Sequence, residues 1–436
     1  MSTVDGLATF EARLAARTMR IGVVGLGYTG LPLAMGFATS GFCVTGVDLD
    51  ADKVDAVNRG ESYLPDLTDH EVREASTDRL FAVTEPAALD GAEVVILCVP
   101  TPVTRRGTAD LSYVQAAVES VLPHLRTGAL LVLQSTVPVG TTAGIARTVT
   151  ERTGLVAGRD YFLATAPERV DPANTNGWNL ANTPKLVGGV DAESTRRARL
   201  LFEQVCARVT AVSAAEVAEL SKVYENTFRL VNIALALEFA DLCRSLGVPA
   251  REVIDAAATK PFGFLAHYPG PGVGGECIPV DPLFLLERAE REGVELALVG
   301  AAHRRIADRP HQVVGRLAEL LAGQGGKLAG TRVLLVGVSY KPGVGDLRNA
   351  PALDIVRDLR AAGAELSYTD PMVPGLTVDG RPVAEVPFSA EQLAAHDVAV
   401  LVTPHPGLLA AAVWAAAPLV IDTYGVLPAA AKVVVL

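Results

Sequence analysis

Short runs of consecutive apolar residues recur along the first third of the chain, and between them apolar positions fall three and four apart. The runs are "MRIGVVGLG" (Met19–Gly27), "CVTGVDLD" (Cys43–Asp50), "EVVILCVP" (Glu93–Pro100), "ALLVLQST" (Ala129–Thr136) and "YFLATAPE" (Tyr161–Glu168). A continuous apolar run that ends in small or polar residues predicts a strand buried on both faces, and the intervening periodicity predicts the helices that cover it. Strands alternating with helices predict a parallel sheet, which binds ligands at the carboxyl ends of its strands. From about Ser194 to Leu321 the pattern turns helical, broken by the Gly/Pro-rich stretch Pro269–Pro282. Within it, Ala214–Gly247 runs without proline and stops at Gly247-Val248-Pro249, which predicts one helix long enough to bridge two domains or pack against its own copy. The strand–helix alternation restarts at "GTRVLLVGVSYKP" (Gly330–Pro342) and continues through "DVAVLVTP" and "PLVIDTY". The expected fold is α/β: two doubly wound domains, residues 1–200 and 321–436, joined by a long-helix central segment, 201–320. The first twenty residues read as a surface lead-in, and "GLLAAAVWAAAPLVI" (Gly407–Ile421) as a packed helix followed by a buried strand.

Composition narrows the function classes. Half of the 436 residues are hydrophobic and 20% are charged, which is globular rather than disordered. A net charge of -11 argues against a nucleic-acid or anionic-membrane partner. The Ala-rich tract is interrupted by Pro418 and too short to span a bilayer, and the first twenty residues lack the apolar core of a secretory signal, so none is expected. Cys43, Cys98, Cys206, Cys243 and Cys277 form no close pair, so reduced thiols and a cytoplasmic location are expected. The histidines show no paired spacing, and no metal is expected.

The chemistry-bearing motifs sit at the ends of the predicted strands. "GLGYTG" places Gly25, Gly27 and Gly30 in GxGxxG spacing, with Leu26, Tyr28 and Thr29 between them, directly after a strand and before an apolar helix. That arrangement lets backbone N–H groups approach a pyrophosphate. Asp48 ends the next strand, where a carboxylate binds both ribose hydroxyls and repels a 2′-phosphate, which favours NAD over NADP. Lys53 and Arg59 are the cations able to reverse that preference, and neither follows Asp48 directly. Val99, Pro100 and Thr101 of "CVPTP", and Ser135 and Thr136 of "QSTVPVGTT", end later strands where a nicotinamide ring and a sugar could meet; helix-capping loops would look the same. Glu168, beside Arg169, is either a carboxylate aimed into a cleft or half of a surface ion pair. Lys222 and Asn226 are four apart on the long helix and suited to stabilising an oxyanion, or else form a solvated face with Glu219 and Glu225. Cys277 and Asp281 lie in "PGPGVGGECIPVDP": a bystander cysteine in a turn, a metal ligand, or a nucleophile on a stiff presentation loop. The other four cysteines are expected to pack as small buried hydrophobes.

Taken together, "GLGYTGLPLA", "VPTP", "STVPVGTT", "APERVDP", "SKVYENTFRLVNIAL", "ATKPFGF", "PGPGVGGECIPVDP" and "SYKPGVGDLRNAPALDI" resemble the UDP-glucose/GDP-mannose dehydrogenase family across almost the whole chain, most of all its UDP-N-acetylglucosamine 6-dehydrogenase branch. The resemblance implies two Rossmann-like domains around a helical dimerisation segment. It also implies an NAD-dependent four-electron oxidation of a UDP-hexose C6 alcohol to a uronate, a step in polysaccharide biosynthesis. Cys277 then forms a thiohemiacetal and a thioester, Lys222 and Asn226 stabilise oxyanions, and Lys222 favours the thiolate. Asp281 and Lys222 handle the alcohol proton through a water that Thr136 helps to hold, and Glu168 is the base for hydrolysis. Glu168, Arg169, Lys222 and Asn226 also line the sugar site, with Lys260, Phe262, Tyr268, Lys341, Arg348 and the backbone of Gly270, Gly272, Gly274 and Gly275 implied as further substrate contacts. A homodimer through the central segment is implied as well.

Three positions depart from the family pattern: Glu276 stands where the branch carries histidine, Gln134 where glutamate is common and Leu237 where asparagine is common. Val280 replaces the lysine of the UDP-glucose branch, and an apolar residue there is normal in the N-acetylhexosamine branch. UDP-glucose, UDP-N-acetylmannosamine or a specialised nucleotide sugar therefore remain as substrates, and a non-catalytic NAD/UDP-sugar sensor remains as a reading of another class.

Overall fold

The computed structural model describes residues 3–64, 67–104, 107–171, 177–428 and 432–436, so Met1, Ser2 and the final proline of "APERVDP" lie outside the described residues. Contacts divide the chain into two compact units, Met1–Glu225 with Leu283–Glu292 and Asn226–Pro282 with Gly293–Leu436.

The first unit opens with α1 (Thr3–Ala15). The expected lead-in is thus a helix, and it is docked: Phe10 and Leu14, four apart on one face, are buried in the core, and the Arg197 guanidinium lies 5.0 Å over the Phe10 ring. There follow β1 (Arg20–Val24), α2 (Gly30–Thr39), β2 (Cys43–Val47), α3 (Ala51–Arg59), α4 (Asp69–Ser76), β3 (Leu80–Val83) and β4 (Val94–Leu97). Next come α5 (Ser112–Val121), β5 (Leu130–Leu133), α6 (Thr141–Thr153), β6 (Phe162–Thr165), β7 (Lys185–Gly189), α7 (Ala192–Phe202), β8 (Val209–Ala211) and the start of α8 (Ala215–Leu246). The strand order is β3-β2-β1-β4-β5-β6-β7-β8, parallel except between β6 and β7. Its first six strands follow the doubly wound dinucleotide-binding order, with the crevice where the order reverses between β1 and β4. Burial on both faces explains the unbroken apolar runs. Val94 and Ile96 of β4 join the core under α2 and α7, while Val95 and Leu97 join the core under α5 and α6.

The second unit takes α8 from Asn226 onward. Gly247 ends that helix in the left-handed region (φ 69°), which lets the Val248 N–H reach back to Cys243 O at 2.9 Å, the stop that Gly-Val-Pro predicts. After α9 (Ala250–Ala258), α10 (Asp281–Arg291) begins in this unit and continues in the first. Next are α11 (Ala297–Gly323), β9 (Arg332–Val336), α12 (Pro351–Ala361), β10 (Glu365–Thr369) and a hairpin of β11 (Thr377–Val378) and β12 (Arg381–Pro382). The chain closes with β13 (Ala384–Glu385), α13 (Ala390–Ala395), β14 (Val398–Leu401), α14 (Ala411–Trp414), β15 (Val420–Asp422) and β16 (Val433–Val435). The second sheet runs β13-β10-β9-β14-β15-β16, parallel throughout, and with the hairpin set aside it repeats the doubly wound order. The Ala-rich tract forms only the short α14 before β15; Trp414 is buried there and donates from Nε1 to Leu408 O at 2.7 Å. No helix among the described residues is long and apolar enough to cross a membrane.

Candidate active site

At the β1–α2 turn the three glycines divide the work. Gly25 has φ 90°, and a Cβ there would stand 2.8 Å from Cys98 O; one on Gly30 would stand 1.7 Å from Gly25 O. Both glycines are therefore needed by the fold. Gly27 differs: a Cβ there would meet nothing within 4 Å, so its backbone faces open space at the start of α2. Asp48 directly follows β2 and accepts from Leu26 N (2.7 Å) and Asp50 N (3.0 Å), with Lys53 Nζ 3.8 Å from its Oδ1. Tyr63 Oη donates to Leu26 O, a tie that sequence reasoning missed because it comes from a loop 37 residues away. Burial, with Asp48 and Asp50 adding to it, pushes the Tyr63 hydroxyl pKa upward. The ends of β4 and β5 are fastened to each other, Thr101 Oγ1 to Thr136 O and Ser135 Oγ to Val99 O, both at 2.6 Å. An open glycine edge, a helix start and a ribose-position carboxylate fit a dinucleotide.

Glu168, after β6, is not paired with Arg169, which instead binds Glu225 at 2.7 Å. Its Oε2 takes Gln134 Nε2 and Lys185 Nζ, each at 2.9 Å, and its Oε1 takes Arg169 N and Val170 N, each at 2.8 Å. Burial pulls this carboxyl upward, but Lys185 and the N–H donors outweigh it and hold it below the usual carboxylate range. Lys185, itself buried, opens β7; a lone lysine at the head of an apolar run was the available signal. A folded-state pKa below the unfolded one adds stability at pH values above the ordinary carboxylate pKa, and that stability is lost as pH falls through the lowered value. Lys185→Met leaves a buried carboxylate without its cation and is expected to cost about 3–5 kcal/mol at pH 7 in urea unfolding. The deficit should shrink as acid protonates Glu168; a deficit that holds constant with pH would refute the pairing.

On α8, Lys222 and Asn226 are both buried, so the solvated-face reading fails. Glu219 is no surface partner either. It accepts from Gly140 N (2.6 Å), Thr142 N (2.8 Å) and Thr142 Oγ1 (2.6 Å) and anchors the start of α6. In the second unit Asn226 Nδ2 donates to Asp281 Oδ2 at 2.5 Å, and Asp281 N closes a turn onto Cys277 O at 2.9 Å. Cys277 is exposed, whereas Cys98, Cys206 and Cys243 are buried, and burial pushes the Cys98 and Cys206 thiols up to about 12 and about 11. Cys43, expected inside, is exposed at the first position of β2, ahead of the four buried residues of that strand.

The glycines ahead of Cys277 are packed by the chain itself on the side where a Cβ would stand. A Cβ would lie 3.0 Å from the Tyr424 ring at Gly270, 3.1 Å from Pro351 at Gly272, 2.5 Å from Tyr340 Cβ at Gly274 and 3.1 Å from the Tyr340 ring at Gly275. Gly275 also donates to Arg348 O (2.8 Å) and accepts from Asn349 Nδ2 (3.0 Å). Arg348 is engaged too, by Glu276 and by Asp346 at 2.6 Å. Lys260 stacks 4.9 Å over Phe262, and Tyr268 donates to Asp255 at 2.7 Å beneath Arg251.

Three models of the UDP-glucose/GDP-mannose dehydrogenase family match the chain in succession: the NAD binding domain at residues 19–206, the central domain at 216–305 and the UDP binding domain at 334–429. The chain is 37% identical over 392 residues to UDP-N-acetyl-D-mannosamine dehydrogenase of Pyrococcus horikoshii, covering 89% of this chain and 90% of that one. A solved structure of the UDP-D-ManNAc dehydrogenase from the same organism superposes with a TM-score of 0.87 at 33% identity, covering 96% and 98% of the two chains. A UDP-glucose dehydrogenase from Pyrobaculum islandicum gives 0.84 at 28% identity, covering 94% of each.

Proposed function

Because the chain belongs to the UDP-glucose/GDP-mannose dehydrogenase family and is an NAD-dependent nucleotide-sugar dehydrogenase, we propose that it oxidises the C6 alcohol of a UDP-N-acetylhexosamine to the carboxylate. UDP-N-acetylmannosamine is the first candidate, on the strength of the relatives, ahead of the UDP-N-acetylglucosamine suggested by the sequence motifs. The observation that carries the reading is the exposed Cys277, four residues ahead of a buried Asp281 that receives the Asn226 amide.

When bound, NAD+ accepts a hydride from C6 in each of two oxidations. Asp281 takes the alcohol proton in the first, giving the aldehyde. The Cys277 thiolate adds to that aldehyde and makes a tetrahedral thiohemiacetal, from which the second hydride can leave to give a thioester. Lys222 and Asn226, one helical turn apart, supply the cation and the amide donor for the C6 oxyanion. Glu168, held ionised by its four donors, accepts a proton from the water that cleaves the thioester. The sum is one alcohol, one water and two NAD+ giving one carboxylate, two NADH and three protons. In this reading residues 1–200 carry the cofactor, 201–320 the catalytic lysine and cysteine, and 321–436 the UDP, with Lys341 and Arg348 facing the diphosphate. An anionic ligand at Arg348 then competes with Glu276. The exposed Leu220, Tyr224, Phe228, Leu235, Leu242 and Leu246, at helical spacing along α8, support a homodimer, which sedimentation would read as a two-chain mass.

The test is incubation with NAD+ and a panel of UDP-hexoses, following NADH and product mass. Two NADH and one new carboxylate per UDP-N-acetylmannosamine are expected. A higher kcat/KM with UDP-N-acetylglucosamine or UDP-glucose would move the substrate and keep the reaction, whereas silence with every sugar nucleotide would favour the sensor reading.

A further inference from the structure

One piece of wiring is repeated at the end of the first strand of both sheets. In the first unit Gly25 N donates to Val47 O (2.8 Å), Leu26 N to Asp48 Oδ2 (2.7 Å) and Asp50 N to Asp48 Oδ1 (3.0 Å). In the second, Gly337 N donates to Thr369 O (2.8 Å), Val338 N to Asp370 Oδ2 (2.6 Å) and Met372 N to Asp370 Oδ1 (2.8 Å). The two glycines share a left-handed backbone, φ 90° and 76°. Asp370 thus occupies in its own sheet the place that Asp48, the ribose-position carboxylate, occupies in the other.

The two carboxylates part company in what else they hold. The Asp48 side chain is 12% exposed, whereas that of Asp370 is fully buried. Asp370 Oδ2 also takes Ser339 N (3.1 Å) and lies 3.2 Å from His405 Nε2. Gly343 N donates to His405 Nδ1 (3.2 Å), which leaves the ring proton on Nε2, and Nε2 is also 3.0 Å from Ser339 Oγ. Ser339 Oγ in turn donates to Lys341 O at 3.0 Å. Each of these imidazole contacts falls on residues 339–343 or on the acid that holds 338–339. The Asp370 carboxylate thus serves the loop that follows the first strand of its sheet.

We propose that His405 is a positioning residue for nucleotide binding: with Asp370 it pins residues 338–343, and therefore Lys341, in the conformation that receives the diphosphate. This rests on the reading above that Lys341 faces the diphosphate, and it adds a residue that neither the motifs nor the sequence spacing singled out.

The test is calorimetric titration of the full chain with UDP, and separately with NAD+, for the wild type, His405→Ala and His405→Asn. Loss of two loop hydrogen bonds is expected to weaken UDP about tenfold in His405→Ala while NAD+ affinity stays within about twofold. His405→Asn, whose amide oxygen can accept from Gly343, should recover part of that loss. A wild type that binds no UDP would sink the nucleotide reading itself. A wild type that binds, with His405→Ala weakened less than about threefold, would overturn the pin alone. Parallel loss of NAD+ affinity, or an Asn variant no better than Ala, would overturn it as well.

Discussion

Cys277→Ser is expected to retain NAD+ binding and to lose carboxylate formation by about 10³-fold or more, the scale on which covalent nucleophiles are felt. A serine hydroxyl in the same place stays protonated at neutral pH and adds poorly to an aldehyde. No other cysteine can substitute: Cys98 and Cys206 are buried with raised thiol pKa values, Cys243 is buried, and Cys43 belongs to the first strand pair. The Gly25–Gly30 turn belongs to the first unit and Cys277 to the second, so cofactor affinity is the internal control. Product mass and NADH stoichiometry read the result, and an unchanged yield of carboxylate would remove Cys277 from the mechanism.

The second large effect separates folding from cofactor binding within one turn. Gly30→Ala forces a methyl to within 1.7 Å of Gly25 O, so the turn or α2 must shift. Both stability and NAD+ affinity should fall, the latter about 100-fold or more if the pyrophosphate contacts are lost. Gly27→Ala places its methyl where the protein has no atom within 4 Å. Its melting temperature should stay within about 2 °C, since surface substitutions of this kind cost little. Its NAD+ affinity should nevertheless drop about tenfold, because the close approach of backbone to pyrophosphate is spoiled. Equal NAD+ affinity in Gly27→Ala and the wild type would rule out a pyrophosphate at that turn.

How far the fold was legible follows from what each residue type can report locally. Strands such as Val94–Leu97 and Leu130–Leu133 are buried on both faces and announce themselves as unbroken apolar runs. Leu80–Val83 at the sheet edge is only half buried, and Lys185–Gly189 carries a lysine and two glycines, so neither gives that signal. Val209–Ala211 is short and largely exposed, which is why the helical stretch expected from Ser194 is interrupted there. The end of α8 was readable because Gly247 states its own backbone requirement. The site divides in the same way. Lys222 and Asn226 share a helix face by spacing alone, but whether that face is wet or buried is decided by distant chain. The sequence left Glu168 between a cleft carboxylate and a surface pair with Arg169, and only β7 pairing beside β6 brings Lys185 to it. Glu276 stood out as an odd neighbour of the thiol; its bond to Arg348, 72 residues later, needed the second sheet.

The exposure of two thiols out of five has a practical side. Cys43 stands at the head of β2, and Cys277 on its loop, both open to a small alkylating reagent, while Cys98, Cys206 and Cys243 are shielded. A single chain therefore carries its own reference label. At low extents of labelling, the ratio of adduct at Cys277 to adduct at Cys43, read by peptide mass spectrometry, is independent of reagent dose and protein concentration. Followed along a titration with nucleotide sugar, that ratio becomes a ruler for occupancy at Cys277 that needs no turnover.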